Sequence, residues 1–164
     1  MTRTPQVEGA RLAARADADR CAELCQQALA ELEHQRGGSL YARRETGVVV
    51  KALLRPGGLD GLQASSRRRV LVGTIDDTVV GIAVGHLDDV GEALLGVVDG
   101  CYVEQQGRGV GVGRALLDAL VSWFAASACR GVDATALPGD RRTKNFYEAA
   151  GFKARLLTVH HTLR

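Results

Sequence analysis

The chain has 164 residues, 46% of them hydrophobic and 24% charged, with a formal net charge of +2 at pH 7. That length supports one compact domain with its own core, and the composition excludes a disordered polymer. So small a net charge speaks against a dedicated nucleic-acid binder. No apolar run approaches the roughly 18 residues of a membrane span, and the N-terminal MTRTPQVEGARL lacks the apolar centre of a secretion signal. The cysteines, Cys21, Cys25, Cys101 and Cys129, form neither a disulfide framework nor a Cys-x-x-Cys metal pair; they read as reduced thiols of a cytoplasmic protein.

Residues 1–6 read as a loose tail and 7–164 as one domain. Val7 to Ala14 predicts a first strand, with Asp17 placed to cap the following helix. From Ala18 to Gln35 the apolar residues Cys21, Leu24, Cys25, Ala28, Leu29 and Leu32 keep helical spacing, which assigns both cysteines to core packing. Gly37-Gly38 ends that helix. Residues 40–55 carry two readings, a strand from Val48-Val49-Val50 or a short helix within Glu45–Leu54. Arg55-Pro56-Gly57-Gly58 is a break, and Leu59–Ser66 a loop or a single helical turn. The basic run Arg67-Arg68-Arg69 reads as a solvated strand entrance. Val70–Ile75, an Asp76-Asp77 turn and Thr78–Leu87 form a predicted hairpin. A turn at Asp88–Gly91 leads into the next strand.

The organising stretch runs from Val97 to Ala128. A β-favouring run through Val103 meets glycines at every second position, Gly107, Gly109, Gly111 and Gly113, and then the apolar helical stripe Leu116, Leu117, Leu120, Val121 and Phe124. Strand, glycine-rich turn and helix make an anion site, because glycines let backbone N–H groups approach a ligand at the positive end of a helix dipole. A Walker loop needs a lysine, and none occurs between Lys51 and Lys144. The dinucleotide fingerprint Gly-x-Gly-x-x-Gly also fails, since its third glycine falls on Val112 or Arg114. Two registers of another template fit: Arg108-x-x-Gly111-x-Gly113 and Gln106-x-x-Gly109-x-Gly111. Beyond the helix, Gly131–Leu137 predicts a strand, Asp140–Ala150 a short helix closed by Gly151, and Phe152–Leu163 a last strand.

The loop resembles the acetyl-CoA pyrophosphate loop of the GCN5-related N-acetyltransferase (GNAT) family, Arg/Gln-x-x-Gly-x-Gly/Ala, with the Arg108 register preferred. Phe146-Tyr147-Glu148-Ala149-Ala150-Gly151-Phe152 is similar to that family's Tyr-Glu-x-x-Gly-Phe on the helix after the next strand. Where many members carry an asparagine before that tyrosine, this chain has Asp140, with Asn145 a turn later.

The resemblance implies an α/β (α+β mixed sheet) fold, a central, mostly antiparallel, splayed sheet flanked by helices. It implies transfer of an acetyl group from acetyl-CoA to a primary amine of a small molecule, peptide or protein, in a ternary complex, without a metal. The expected CoA contacts are Cys101, Tyr102, Val103, Arg108, Gly109, Val110, Gly111, Val112, Gly113, Arg114, Asp140, Asn145 and Phe146. An alkylamine with a pKa near 10 is free base in about one molecule per thousand at pH 7, so a base must take its proton. The departing thiolate needs an acid that is protonated at neutral pH. Tyr147 is the candidate acid and Asp99 the candidate base, on the expectation that Asp99, Cys101 and Val103 share one strand face. Glu92 and His86 are alternative bases. Cys101 as a covalent nucleophile is disfavoured for want of an activating histidine. A non-catalytic acyl-CoA sensor and a nucleic-acid module using Arg67–Arg69 are the competing readings. No nucleic-acid or membrane partner is expected, and a homodimer is compatible with the sequence.

Overall fold

The computed structural model describes residues 8–163; the expected tail, 1–6, and Val7 lie outside them. Five strands, β1 (Glu8–Leu12), β2 (Arg68–Ile75), β3 (Thr78–Val90), β4 (Ala93–Val103) and β5 (Cys129–Ala134), form one sheet in sequential order. The pairings are antiparallel from β1 to β4, and β4–β5 is parallel. Four helices lie between β1 and β2 in the chain: α1 (Ala18–Glu33), α2 (Gly38–Arg44), α3 (Val48–Leu53) and α4 (Gly58–Gln63). The crossover α5 (Val112–Ala126) joins the parallel strands, and α6 (Arg141–Ala149) follows β5.

The sheet is buried on both faces. On one, Leu24 and Cys25 of α1, Val49 and Leu53 of α3 and Leu62 of α4 pack on Val72, Ile82 and Val84. On the other, Leu116, Leu117, Leu120 and Phe124 of α5 pack on Leu71, Ala83 and Val98, joined by Tyr147 of α6. Glycines in the sheet let α5 sit this close, since a Cβ at Gly73 would collide with Val112 and one at Gly96 with Phe124.

The ambiguous 40–55 stretch is helical, because Val49, Val50 and Leu53 then share one buried face that an edge strand would divide. Asp17 stands at the N-cap of α1 without a capping hydrogen bond from its side chain. Its carboxylate instead accepts from Arg11 Nη1 at 2.7 Å and from the Ala14 N–H at 2.7 Å. The Asp76-Asp77 hairpin turn has φ of 47° and 65° at its two residues, the left-handed pair that matches the twist of the strands it joins. Beyond it β3 runs to Val90, so the next turn is confined to Gly91 and Glu92. The strand expected at Gly131–Leu137 lies earlier, at Cys129–Ala134, and Thr135–Leu137 has left the sheet.

The expected last strand over Phe152–Leu163 does not form; residues 152–163 are irregular and nearly all exposed. The outer edge of β5 carries no paired strand among the described residues; the segment meets β5 through the Arg155 side chain at Asp133, and without backbone pairing its strand propensity goes unrealised.

Two departures from a regular sheet position the site. The β4–β5 ladder ends at Val98 opposite Ala134, while β4 continues to Val103, so the strands part and open a cleft. Within β4, Val84 lies opposite Gly100 and Gly85 opposite Val98, which makes Asp99 the extra residue of a β-bulge. The bulge breaks the expected face parity. Cys101 and Val103 pack toward α5. Asp99 turns toward the opposite layer, where a Cβ at Gly47 would collide with its Oδ1.

Candidate active site

A cavity of about 560 Å³ fills the cleft, walled by Val98–Val103 of β4, Thr135–Leu137 after β5, α1, the glycine-rich loop and α6. At its loop end the chain turns into α5 through Gly109 and Gly111, with φ of 85° and 101°. These left-handed values are open to glycine at little cost. Gly111 is the N-cap of α5, so the N–H groups of the helix's first turn have no intrahelical acceptor and point outward. Gly113 follows in that turn, where a Cβ would meet the Phe146 ring at 3.5 Å. This cradle, with Arg108, Arg114 and Arg142 in the lining, suits a diphosphate ester.

Arg108 is fixed on three sides. Its Nε donates to the Val103 carbonyl at 2.7 Å, its Nη2 bonds both Glu31 oxygens at 3.0 and 2.9 Å, and its guanidinium lies 5.5 Å from the Tyr102 ring centre. Tyr102 Oη also donates to Glu31 Oε1, at 2.7 Å. Burial opposes ionisation of Glu31, but the Tyr102 and Arg108 hydrogen bonds hold its carboxyl below the usual range. Tyr102 is pushed up to about 12 by burial and by that same bond. The sequence carried no signal for Glu31: it sits on α1, and pairs with a residue 77 positions away.

Tyr147 and Asp99 also line the cavity. Tyr147, on α6, is 8% exposed, and its ring packs between Phe146 and Phe152 at 5.4 and 5.3 Å. Burial drives its phenol well above the usual tyrosine range, so it is protonated at neutral pH. Asp99 has a side chain 2% exposed and bonds His86 Nδ1 through Oδ2 at 2.7 Å. Burial raises the Asp99 carboxyl above its ordinary value, and the His86 hydrogen bond offsets part of that rise. Tyr41 lies on the same side, its phenol raised by burial and by the Asp99 charge. His86 itself is outside the cavity wall; the bulge is what brings it to Asp99, and no spacing rule reveals that. Cys101 places its Sγ 3.9 Å from the Gly113 carbonyl, and burial pushes the thiol up to about 12.

Of the expected CoA contacts, Cys101, Tyr102, Val103, Arg108, Gly109, Gly111, Gly113, Arg114, Asp140 and Phe146 line the cavity. Val110 is exposed on the outside of the loop and Val112 is buried in the α5 core. Asn145 is exposed on α6 and outside the lining. Asp140 reaches the wall but caps α6, accepting from the Thr143 N–H at 3.0 Å and Thr143 Oγ1 at 2.6 Å. Glu92 falls at the exposed turn before β4. The basic run is engaged too: Arg67 pairs with Asp89 at 2.9 Å, and the Arg69 guanidinium stacks 5.0 Å from the Trp123 ring centre.

Splayed strands, a glycine-lined helix N-terminus at one end, and a buried phenol and a buried carboxyl group on the walls make up the cleft. The sequence profile of the acetyltransferase (GNAT) family matches residues 56–152, more than half of the chain, and the chain belongs to that family. It is an acyl-CoA-dependent N-acyltransferase whose donor is acetyl-CoA.

No curated protein matches the sequence, whereas many solved structures share the fold. The aminoglycoside N-acetyltransferase AAC(6')-Iy in complex with CoA superposes with a TM-score of 0.73 at 16% identity, covering 100% of this chain and 99% of that one. An aminoglycoside acetyltransferase from an uncultured soil metagenomic sample, in complex with trehalose, gives 0.68 at 15%, with coverages of 96% and 97%. Glucosamine-6-phosphate N-acetyltransferase from Arabidopsis thaliana gives 0.68 at 13%, covering 96% and 99%.

Proposed function

We propose that this enzyme acetylates a primary amine by direct attack within a ternary complex, with Tyr147 as acid and Asp99 as base. The carrying observation is the placement of a buried, protonated phenol and a buried carboxylate on the walls of one cleft. The glycine cradle holds the pyrophosphate of acetyl-CoA, and the β4 segment beyond the end of the β4–β5 ladder offers backbone groups to the pantetheine arm.

The amine nitrogen attacks the thioester carbonyl carbon and the C–N bond forms. Asp99 takes the proton that nitrogen sheds, and its raised pKa makes it a better base than an exposed aspartate. As the C–S bond breaks, Tyr147 gives its phenolic proton to the sulfur and regains one from solvent. Burial pushes the Cys101 thiol in this cleft up to about 12. That shift keeps Cys101 protonated and a weak nucleophile, which favours direct transfer over an acyl-enzyme.

Arg67 and Arg69 of the basic run already have partners within the chain, which supports the transferase reading over a nucleic-acid one. The same proposal places the enzyme in the cytoplasm, in keeping with four free cysteines, and as a homodimer, because residues 153–163 are exposed and the outer edge of β5 has no strand paired to it among the described residues.

Tyr147→Phe removes one oxygen while keeping the ring contacts. With saturating substrates, thiol-release kinetics are expected to show kcat falling by about a hundred- to ten-thousand-fold, with acetyl-CoA affinity by calorimetry little changed. Turnover within about threefold of the parent enzyme, with chemistry rate-limiting, assigns Tyr147 to packing and the proton to water.

A further inference from the structure

The cavity has two ends of different chemistry. The loop end carries Arg108, Arg114, Arg142 and the α5 amides. The other end lies under α1 and α3, where Ala28, Leu29, Leu32, Val50 and Leu137 form the wall around Tyr41, Thr46 and Asp99. Once the diphosphate is assigned to the loop, the second end is left for the acceptor.

The carboxylates of the cavity wall are Glu31, Asp99 and Asp140, and each is already engaged. Glu31 is bound by Tyr102 and Arg108, and Arg142 stands 4.0 Å away. Asp99 is bound to His86 at 2.7 Å. Asp140 caps α6 through Thr143. Three arginines line the same cavity, so no surplus negative charge is available to several ammonium groups. Gln35, Tyr41 and Thr46 can meet a few polar groups there, Gln35 Oε1 being a buried acceptor without a hydrogen bond among the described residues, but an amine bearing many charges and hydroxyls would leave most of its polar groups against leucine and valine side chains, and burying such groups without partners is costly. An apolar body gains from the same walls.

We infer that the acceptor is a monoamine with an apolar body, of the arylalkyl or branched-alkyl class. Its body lies on Ala28, Leu29, Leu32, Val50 and Leu137, and its single nitrogen meets the thioester on the Asp99 side. The inference rests on the transferase reading and sharpens it. It also separates this enzyme from its structural neighbours that are aminoglycoside acetyltransferases, whose name describes a polyamine substrate.

The test uses the full chain with saturating acetyl-CoA and thiol-release kinetics, comparing phenethylamine and isoamylamine with ethanolamine and the aminoglycoside kanamycin. The apolar monoamines are expected to exceed the other two in kcat/KM by about tenfold or more, the discrimination an apolar pocket typically gives. Leu32→Asp is expected to remove most of that preference while acetyl-CoA affinity holds; Leu32→Asn provides the same comparison if the aspartate variant does not fold. Equal or better turnover of kanamycin or ethanolamine overturns the inference. So does faster reaction with octanoyl-CoA at no cost in the amine preference, which would give the apolar end to the donor.

Calorimetric binding of the amines to the CoA-loaded protein provides a readout independent of turnover. Phenethylamine that binds in preference to kanamycin but is not acetylated upholds the pocket and sinks the transferase reading. Failure of the apolar amines to bind or react overturns the pocket.

Discussion

Asp99 and His86 form the pair whose chemistry is most open to measurement. A base must be ionised, so kcat/KM should rise with pH through the Asp99 pKa. Burial moves that pKa up, and the His86 hydrogen bond, the His86 charge and the Arg68 charge move it down. Removing His86 takes away the first two of these lowering influences. His86→Ala is therefore expected to shift the acidic limb of the kcat/KM profile to higher pH while leaving the upper plateau in place. Asp99→Asn should lower turnover across the profile and abolish that limb, with acetyl-CoA affinity retained. A limb that stays at the same pH in His86→Ala would separate Asp99 from the rate-controlling ionisation. The place of Asp99 in the cleft wall was legible because the strand entering the loop carries a carboxylate near its end. Its partner and its true orientation were not, since a one-residue bulge reverses which neighbours share a face, and strand alternation has no means of announcing it.

The junction of β4 and α5 was legible in the sequence for a different reason. Its signal is local: strand period, alternate glycines and helical period follow one another within a single stretch, and each obeys sterics that do not depend on the rest of the fold. The four glycines nonetheless serve distinct ends. Gly107 is packed on Val80, Gly109 and Gly111 take left-handed backbone, and Gly113 faces Phe146. The φ of 101° at Gly111 makes a substitution there strained whatever the space around it, at a cost of about 1–3 kcal/mol. The double variant Gly111→Val, Gly113→Val should lower the melting temperature and also remove CoA binding, because added side chains hold the diphosphate away from the α5 amides. Calorimetry on the folded variant checks it, and undiminished CoA affinity would move the diphosphate elsewhere. The helices between β1 and β2 were harder to read. Three valines in a row favour a strand locally, and only packing of Val49, Val50 and Leu53 under α1 makes them helical, a case of tertiary context overriding propensity.

For the molecule as a whole, the ends of the sheet matter most. Residues 152–163 have the composition of a strand and β5 presents an outer edge, yet among the described residues the two do not pair backbone to backbone; strand composition does not say what a segment pairs with. Leu156, Leu157, Val159 and Leu163 are 77%, 76%, 85% and 83% exposed, while the outer edge of β5 has no paired strand among the described residues. Both are costly in water: the first exposes apolar surface, and the second leaves a row of backbone donors and acceptors that template association. The proposed homodimer would cover both surfaces if each copy laid residues 153–163 along the other's β5 in an isologous exchange. Sedimentation equilibrium is expected to show a dimer. Deleting residues 154–163 should convert it to a monomer, and Leu157→Asp with Val159→Asp should weaken association while keeping the rest of the fold. Because Thr135, Ala136 and Leu137, just beyond β5, line the cleft, the monomeric variants should also lose acceptor affinity, read as a raised KM for the amine with acetyl-CoA binding intact. A parent chain that sediments as a monomer at all concentrations, with an unchanged amine KM in the truncated form, would mean that the segment stays unpaired in solution and that the cleft is complete in one copy.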